Sequence, residues 1–301
     1  GTRIPLAARA RARPLPHERT TRMTWTLDIL GVAATAPVAG SAASGYLLRG
    51  PHGSVLVDCG PGIVRELAER GALDDLVAVV VTHRHADHAL DLGALAFRLQ
   101  FPRPRERRVP LLLPAESLDY VDSFDALIGI PTVPTLRAPL AQAFDVRGLD
   151  LATPTTFDVA PGLRLTAFAA HHAVPSASLR FEDAETGATI AFSSDTSDCP
   201  GLRAAAHEVD LLVCEATYLA ATPQELEGHG HLTGRGAGGV ASGARVGTLL
   251  VSHIADPALA PRILADAVEA AGPAVATLLA RPGARFPLDR RTPTREPSAV
   301  R

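Results

Sequence analysis

Short apolar runs that end in polar residues recur along the chain and constrain its fold more than any other feature. The runs 54–58 and 76–82 end at Asp58 and Thr82, and a stretch ending at Gly71 with helical spacing separates them. The same pattern recurs at 163–170, 189–193, 209–214 and 248–252. Such runs are typical of buried strands, and α/β folds place their sites in the loops after strands. The pattern therefore predicts an α/β fold with its chemistry at strand ends.

Composition predicts a folded domain and excludes several classes of protein. With 301 residues, of which 47% are hydrophobic and 20% charged, the chain can bury a full core and is not disordered as a whole. Its apolar runs fall far short of the roughly 20 residues that a membrane helix needs. All 29 basic residues are arginine, which excludes Schiff-base lysine chemistry and a P-loop lysine. The scattered residues Cys59, Cys199 and Cys214 form no disulfide framework, so we expect a cytoplasmic protein.

Charge is distributed unevenly and suggests where the folded domain begins and ends. Residues 1–22 hold six Arg and one acidic residue, and residues 285–301 hold five Arg and two acidic residues. Residues 23–284 carry 18 Arg against 29 acidic residues, which makes the body a poor platform for a polyanion. We expect an Arg-rich extension over 1–22 that is non-native or an extended start, one folded domain over 23–284, and a flexible tail over 285–301.

A histidine-rich turn follows the second apolar run and reads Thr82-His-Arg-His-Ala-Asp-His88. In a chain of this composition, a chance match to H-x-H-x-D-H is expected about once in a thousand chains. His83 and His85 are two residues apart in an extended turn, so both rings can point the same way. Asp87 and His88 begin the next helix. The turn therefore offers two adjacent metal-binding half-sites, and each needs further ligands from elsewhere in the chain.

The turn and several other segments resemble the metallo-β-lactamase superfamily of metallohydrolases. The resemblance extends from about Met23 to Ala280 and includes Leu27–Gly31, Tyr46–Arg49, Val57-Asp-Cys-Gly-Pro-Gly62, Phe192-Ser-Ser-Asp-Thr196 and Leu250-Val-Ser-His253. It implies an α/β fold that is a four-layer αββα sandwich, with two metals at one edge between the sheets. It also implies that Asp58 braces the metal turn.

The resemblance implies two ligand sets that share one carboxylate. These sets are His83, His85, His172 and Asp195 for one metal, and Asp87, His88, His253 and Asp195 for the other. The family pattern of His, any residue, Val and Pro selects His172 over His171, whose ring lies on the opposite face of a strand. His171 and Thr82 then join Asp58 in a supporting role. Nitrogen and oxygen ligands without cysteine favour two zinc ions, and manganese or iron stay open.

A second resemblance concerns the residues that act beside the metals. His231 lies 16 residues after Glu215, which is similar to the histidine and glutamate pairing of the ribonuclease Z and phosphodiesterase branch. With Asp87, this pair is the expected catalytic set. A charged imidazole could stabilise a phosphate oxygen or protonate the leaving alkoxide, and a hydroxide bridging the metals would be the nucleophile. The alternative is that Glu215 and His231 only cap neighbouring loops.

We expect a phosphodiesterase that acts on small phosphodiesters such as cyclic nucleotides. A tRNA 3′-processing nuclease of this family should carry a protruding basic arm, and the 23 positions from His172 to Asp195 leave no room for one. The first alternative is hydrolysis of a lactone, thioester or ester, with Tyr218 and Thr233 as candidate substrate contacts; tRNA processing ranks below it. A dedicated β-lactamase is not expected, because Asp195 stands where the cysteine-using enzymes of that type have their cysteine.

We expect the partner to be a small-molecule substrate. A membrane partner is not expected, nucleic acid is disfavoured, and a homodimer is left open. One basic cluster is present, formed by Arg103, Arg105, Arg107 and Arg108, and we expect it to be a solvated loop. Substrate specificity is expected to depend on the proline-rich insertion at 100–145.

Overall fold

The computed structural model describes residues 24–290 except 223, 225 and 227, and these residues form two β-sheets flanked by helices. The strands are β1 Thr26–Ala33, β2 Ala42–Ala43, β3 Gly45–Gly50, β4 Gly53–Val57, β5 Leu76–Val80, β6 Val109–Pro114, β7 Phe144–Leu149, β8 Thr156–Ala160, β9 Leu163–Ala169, β10 Ala177–Asp183, β11 Thr189–Phe192, β12 Leu211–Glu215, β13 Thr248–Ser252, β14 Ala276–Leu279 and β15 Arg285–Pro287. The first sheet has the order β15-β1-β3-β4-β5-β6-β7, with β2 paired to β1. The second sheet has the order β14-β13-β12-β11-β10-β9-β8.

The helices cover the outer faces of the two sheets. They are α1 Ile63–Glu69, α2 Ala86–Ala89, α3 Leu92–Gln100, α4 Asp119–Ile128, α5 Pro139–Ala143, α6 Pro200–Ala206, α7 Gly234–Gly243 and α8 Ala260–Ala271. No helix within the described residues has the length and apolar character needed to cross a bilayer.

Three apolar clusters separate four layers. The central cluster joins the inner faces of both sheets, with Leu27 and Val57 from the first sheet and Phe181 from the second. A second cluster packs the first sheet against α1, α3, α4 and α5. A third packs the second sheet against α6, α7 and α8. The predicted αββα sandwich is confirmed.

Parallel strand pairing brings the polar strand ends together. In the first sheet β4 pairs in parallel with β5, and in the second sheet β11, β12 and β13 are parallel neighbours. Because the carboxyl ends of parallel strands meet at one edge, the residues that follow them converge there. Asp58, Asp195, Glu215 and His253 all follow or end these strands.

The C-terminal boundary differs from the predicted one. Residues 285–287 form β15, which pairs antiparallel with β1. The Arg285 guanidinium also donates from Nη2 to Asp28 Oδ2 over 2.7 Å. These residues are part of the first sheet rather than of a flexible tail, because the pairing satisfies backbone groups that a free tail would leave to solvent. The predicted N-terminal extension and residues 291–301 of the tail lie outside the described residues.

Candidate metal centre

The histidine-rich turn is braced by Asp58, which directly follows β4. Its Oδ1 accepts hydrogen bonds from the Thr82 backbone N–H over 2.8 Å and from the Thr82 hydroxyl over 3.0 Å. Its Oδ2 accepts from His88 Nδ1–H over 2.7 Å. Since Nδ1 of His88 carries the proton, Nε2 is left with its lone pair for a metal. This is the geometry that the predicted bracing role of Asp58 and Thr82 requires.

Three histidines and one carboxylate form what we call the three-histidine half-site, composed of His83, His85, His172 and Asp195. His85 Nδ1 is 3.1 Å from His83 Nε2 and 3.0 Å from His172 Nε2. Asp195 Oδ2 is 3.7 Å from His83 Nε2. His83 is fully buried, whereas His85 and His172 are partly exposed. His171 is exposed, and its ring is not among these ligand atoms.

The other four donors form the buried half-site, composed of Asp87, His88, His253 and Asp195. His253 Nε2 is 3.1 Å from His88 Nε2 and 3.2 Å from Asp87 Oδ2. Asp195 Oδ1 is 3.3 Å from His88 Nε2 and 3.4 Å from His253 Nε2. All four residues are buried. The two oxygens of Asp195 therefore face different half-sites.

These donor sets fit divalent cations. Four ligands at about 2.0–2.1 Å from a tetrahedral metal are roughly 3.3 Å apart, close to the separations in both half-sites. Asp195 Oδ1 is buried and has no hydrogen-bond partner among the described residues. Buried polar atoms are nearly always satisfied, so an unpaired carboxylate oxygen among imidazoles indicates a cation position. The coarse prediction of a metal-binding cluster of His and Asp is supported.

The electrostatics of the three-histidine half-site favour metal over protons. Burial lowers the pKa of His83, His85 and His172 below the ordinary histidine value. For His83 and His85, the positive charge of neighbouring histidines lowers the pKa further. Only neutral imidazole can bind a metal, so these rings are in the binding-competent form near neutral pH.

The buried half-site is more strongly negative. Burial opposes ionisation of Asp195, but the charges of His253 and His88 lower its pKa well below the usual range. Burial likewise opposes charge on His88, whereas the carboxylates of Asp195 and Asp58 raise its pKa. The negative field that holds a proton on His88 would equally hold a cation at its Nε2.

Hydrogen bonds orient two further ligand rings from the second sheet. His172 Nδ1–H donates to the Gly230 carbonyl over 3.0 Å, which turns Nε2 toward His85. Gly230 has φ +72°, and a Cβ there would lie 2.1 Å from the His171 carbonyl oxygen, so only glycine fits. His253 Nδ1–H donates to the Thr217 hydroxyl over 3.1 Å. Orientation of a ligand through its second ring nitrogen is usual in metal sites.

Glu215, at the end of β12, is the centre of a buried network. Its Oε1 accepts from the Thr196 backbone N–H over 2.8 Å and from His231 Nδ1–H over 3.0 Å. Its Oε2 accepts from the Thr217 hydroxyl over 2.6 Å and from the Leu232 backbone N–H over 3.1 Å. One carboxylate thus orients His231 directly and the metal-facing His253 through Thr217. Glu215 therefore binds His231 and also accepts from backbone N–H groups of the neighbouring loops.

His231 lies beside both half-sites. Its ring centroid is 5.0 Å from that of His172 and 6.2 Å from that of His253. Burial opposes its charged form, but the hydrogen bond and the charge of Glu215 raise its pKa overall. Its Nδ1–H donates to Glu215, which leaves Nε2 on the side of the ring away from that carboxylate.

The remaining candidates are the two predicted substrate contacts, Tyr218 and Thr233. The Tyr218 ring lies 5.6 Å from that of His231. The Thr233 hydroxyl accepts from Gly236 N–H and caps α7, and its contact with substrate stays a prediction. Thr217 was not singled out from the sequence, because a lone threonine after a strand carries no pattern.

Comparisons with known proteins agree with this geometry. Residues 54–254, more than half of the chain, match the sequence profile described as a beta-lactamase superfamily domain. The chain belongs to the metallo-β-lactamase superfamily. The Nocardia farcinica protein named Ribonuclease Z is 32% identical over 264 residues, which cover 75% of this chain and 86% of that protein. These findings confirm the predicted family and its enzyme class, a metal-dependent hydrolase.

Solved structures of this superfamily show the same fold. The metallo-beta-lactamase fold protein YhfI from Bacillus subtilis superposes with a TM-score of 0.72 at 22% identity, covering 87% of this chain and 99% of that chain. Human tRNase Z, short form, superposes with a TM-score of 0.67 at 20% identity, covering 88% of this chain and 100% of that chain. At these identities the likeness concerns the fold alone.

Proposed function

We propose that this protein is a phosphodiesterase that hydrolyses small phosphodiesters, such as cyclic nucleotides, with two divalent cations, zinc being favoured. The observation that carries the proposal is the position of His231. It is held by Glu215 through Nδ1 next to both half-sites, and its pKa is raised. This combination suits phosphate chemistry, in which negative charge on non-bridging oxygens and on the leaving alkoxide must be stabilised.

The proposed cation ligands are those of the two half-sites, with Asp195 shared. Two cations bound there would polarise the phosphoryl oxygens and supply an activated water near neutral pH. The chain itself provides no side-chain nucleophile in this arrangement. Glu215 favours the charged form of His231, which would donate a proton from Nε2 to the leaving alkoxide and become neutral, or would hydrogen-bond a phosphoryl oxygen. Asp87 and Asp195 would help to hold the cations at the two half-sites.

The proposed substrate is small because the described residues form no clamp for RNA near the site. Between His172 and Asp195 the chain forms only β10, β11 and their turn. After β12 it returns to the site at Gly230, whose carbonyl accepts from His172. In the basic cluster, Arg105 donates to the Leu73 and Leu76 carbonyls over 2.8 Å each, so its guanidinium is engaged within the fold.

A second candidate function is endonucleolytic processing of tRNA precursors. It is favoured by the similarity to the Nocardia farcinica protein named Ribonuclease Z. The acidic body and the short connections around the site argue against it, because phosphate contacts from basic side chains supply most nucleic-acid affinity. The two candidates therefore differ in the substrate and not in the chemistry at the metals.

The test is a parallel assay of purified, metal-analysed protein on small phosphodiesters, a tRNA precursor and acyl substrates. These are bis(p-nitrophenyl) phosphate, a cyclic nucleotide, a tRNA precursor, and a lactone and thioester panel. We expect about two divalent cations per chain and turnover of the first two substrates. A kcat/KM for the tRNA precursor that exceeds both would establish the nuclease instead. Turnover confined to lactones or thioesters would establish the acyl hydrolase.

A further inference from the structure

A cavity lies beside the metal centre and is called here the side pocket. It has a volume of about 420 Å³ and lies between the end of β1, the loop at 38–41, and the segments that follow β13 and β14. Val38 on its wall is 39% exposed. Cavities of a few hundred Å³ are typical of small-ligand sites, so the side pocket is large enough for a ring-sized group.

The lining of the side pocket is mainly apolar. Val38, Ile254 and Leu279 contribute branched aliphatic side chains, and the other lining residues are mostly alanine, valine and proline. Apart from His253, Arg281 is the one ionisable residue among those that line it, and it is exposed. Apolar walls favour an uncharged group, and a planar guanidinium stacks well on an aromatic face.

The side pocket adjoins the buried half-site, because His253 lines the pocket and is also one of the four donors of that half-site. His253 Nε2 is 3.2 Å from Asp87 Oδ2, and that oxygen also accepts from the Thr35 backbone N–H over 2.7 Å. Thr35 has φ 62°, a left-handed conformation that is uncommon for threonine. The loop that carries Val38 is therefore held against a residue of the metal centre.

We propose, building on the phosphodiesterase function above, that the side pocket binds an uncharged aromatic group on the substrate phosphate, such as a nucleotide base. With the phosphate at the half-sites, the ester substituent on the His253 side enters this cavity. The apolar walls remove the ring from water, and Arg281 covers its face. Burial of a ring of this size changes affinity by about 10- to 100-fold.

The first test measures binding alone. Diphenyl, dibutyl and dimethyl phosphate are titrated by calorimetry into the metal-loaded protein. We expect diphenyl phosphate to bind at least about 10-fold more tightly than dimethyl phosphate, and more tightly than dibutyl phosphate. Equal affinities for diphenyl and dibutyl phosphate would overturn the proposal that the group is aromatic. Equal affinities for all three phosphates would overturn the proposal that the side pocket binds a substituent of the phosphate.

The second test fills or enlarges the side pocket. Ala260→Phe places a ring on its wall and should remove the preference for diphenyl phosphate. Val268→Phe is the matched control, because Val268 is 48% exposed on the same helix and does not line the pocket. Should Ala260→Phe fail to fold, Val38→Ala should reduce the preference about two- to threefold. Retention of the full preference in a folded Ala260→Phe variant, or in Val38→Ala, would contradict the proposal.

The third test uses two substrates with the same leaving group, p-nitrophenyl phenyl phosphate and p-nitrophenyl methyl phosphate. The phenyl ester should have the higher kcat/KM, and Ala260→Phe should lower that ratio. Turnover of both esters at equal rates would leave the phosphodiesterase function standing and overturn the pocket. Absence of any phosphodiester turnover, together with tight diphenyl phosphate binding that Ala260→Phe abolishes, would overturn the function and support the pocket.

Discussion

The two half-sites differ in burial and charge. The buried half-site has two carboxylates, and Asp58 orients His88, Thr217 orients His253 and the Thr35 N–H donates to Asp87. The three-histidine half-site has one carboxylate, and His85 and His172 are partly exposed. We therefore expect the buried half-site to bind a divalent cation more tightly than the three-histidine half-site.

The largest effect is expected where the half-sites meet. Asp195→Ala removes the carboxylate that faces both, so at least one of two cations should be lost and activity should fall to background. Metal analysis by mass spectrometry and turnover of bis(p-nitrophenyl) phosphate measure both effects. Wild-type protein with one cation, and an unchanged variant, would contradict the ligand assignment.

The next effect concerns His231, which lies beside both half-sites and is not a proposed ligand. His231→Ala should keep both cations and the fold, while kcat falls by about 10²–10⁴, the usual contribution of a positioned acid. The loss should be small for a p-nitrophenolate leaving group and large for an alkoxide. Glu215→Gln should reproduce part of this loss, because it holds the charged ring less firmly.

Equal losses for both leaving groups would show that His231 is not a general acid. An unchanged kcat for His231→Ala would remove the main support for the phosphodiesterase function and favour the acyl hydrolase. Circular dichroism and metal content of each variant serve as controls for folding and loading.

A matched pair of histidine variants compares the half-sites directly. His172→Ala should leave one cation per chain after dialysis, because the buried half-site stays intact. His253→Ala should leave less than one, because the three-histidine half-site binds about tenfold or more weakly with a single carboxylate. The stoichiometry is measured against increasing chelator concentration. The reverse order of loss would refute the proposed difference in affinity.

A smaller effect is expected at Thr217, which links Glu215 to His253. Thr217→Val keeps the shape but removes the hydroxyl, so metal affinity in the buried half-site should fall about 10-fold. Thr217→Ser retains the hydroxyl and serves as control. The chelator concentration at half-occupancy measures the change, and equal values for Val and Ser variants would assign Thr217 a packing role only.

The smallest effect is expected far from both half-sites. Replacing Arg103, Arg107 and Arg108 by Ala should leave turnover of a small phosphodiester unchanged. All three are exposed, whereas Arg105 is engaged with backbone carbonyls. A large loss of activity on a tRNA precursor would instead favour the nuclease. In that case the salt dependence of RNA binding should also become flatter, by about one unit of slope for each lost phosphate contact.

Prediction from sequence was accurate where one short segment contains the whole pattern. The helix that ends before Gly71 lies where it is expected, and Gly71 has a positive φ. The choice of His172 rested on a family pattern, and the structure brings its Nε2 to His85, 87 positions away. The tail boundary was wrong, because nothing near Arg285 indicates its pairing with Asp28, 257 positions earlier.

The sequence by itself determined the fold class and the metal turn, because strand periodicity and the H-x-H-x-D-H spacing depend on backbone geometry within a few residues. Only the tertiary structure decided that Asp195 presents one oxygen to each half-site and that Glu215 orients both His231 and His253. It alone revealed the side pocket, whose walls come from β1, β13 and β14. These features join side chains from distant strands, so they depend on how the two sheets pack and on no local pattern.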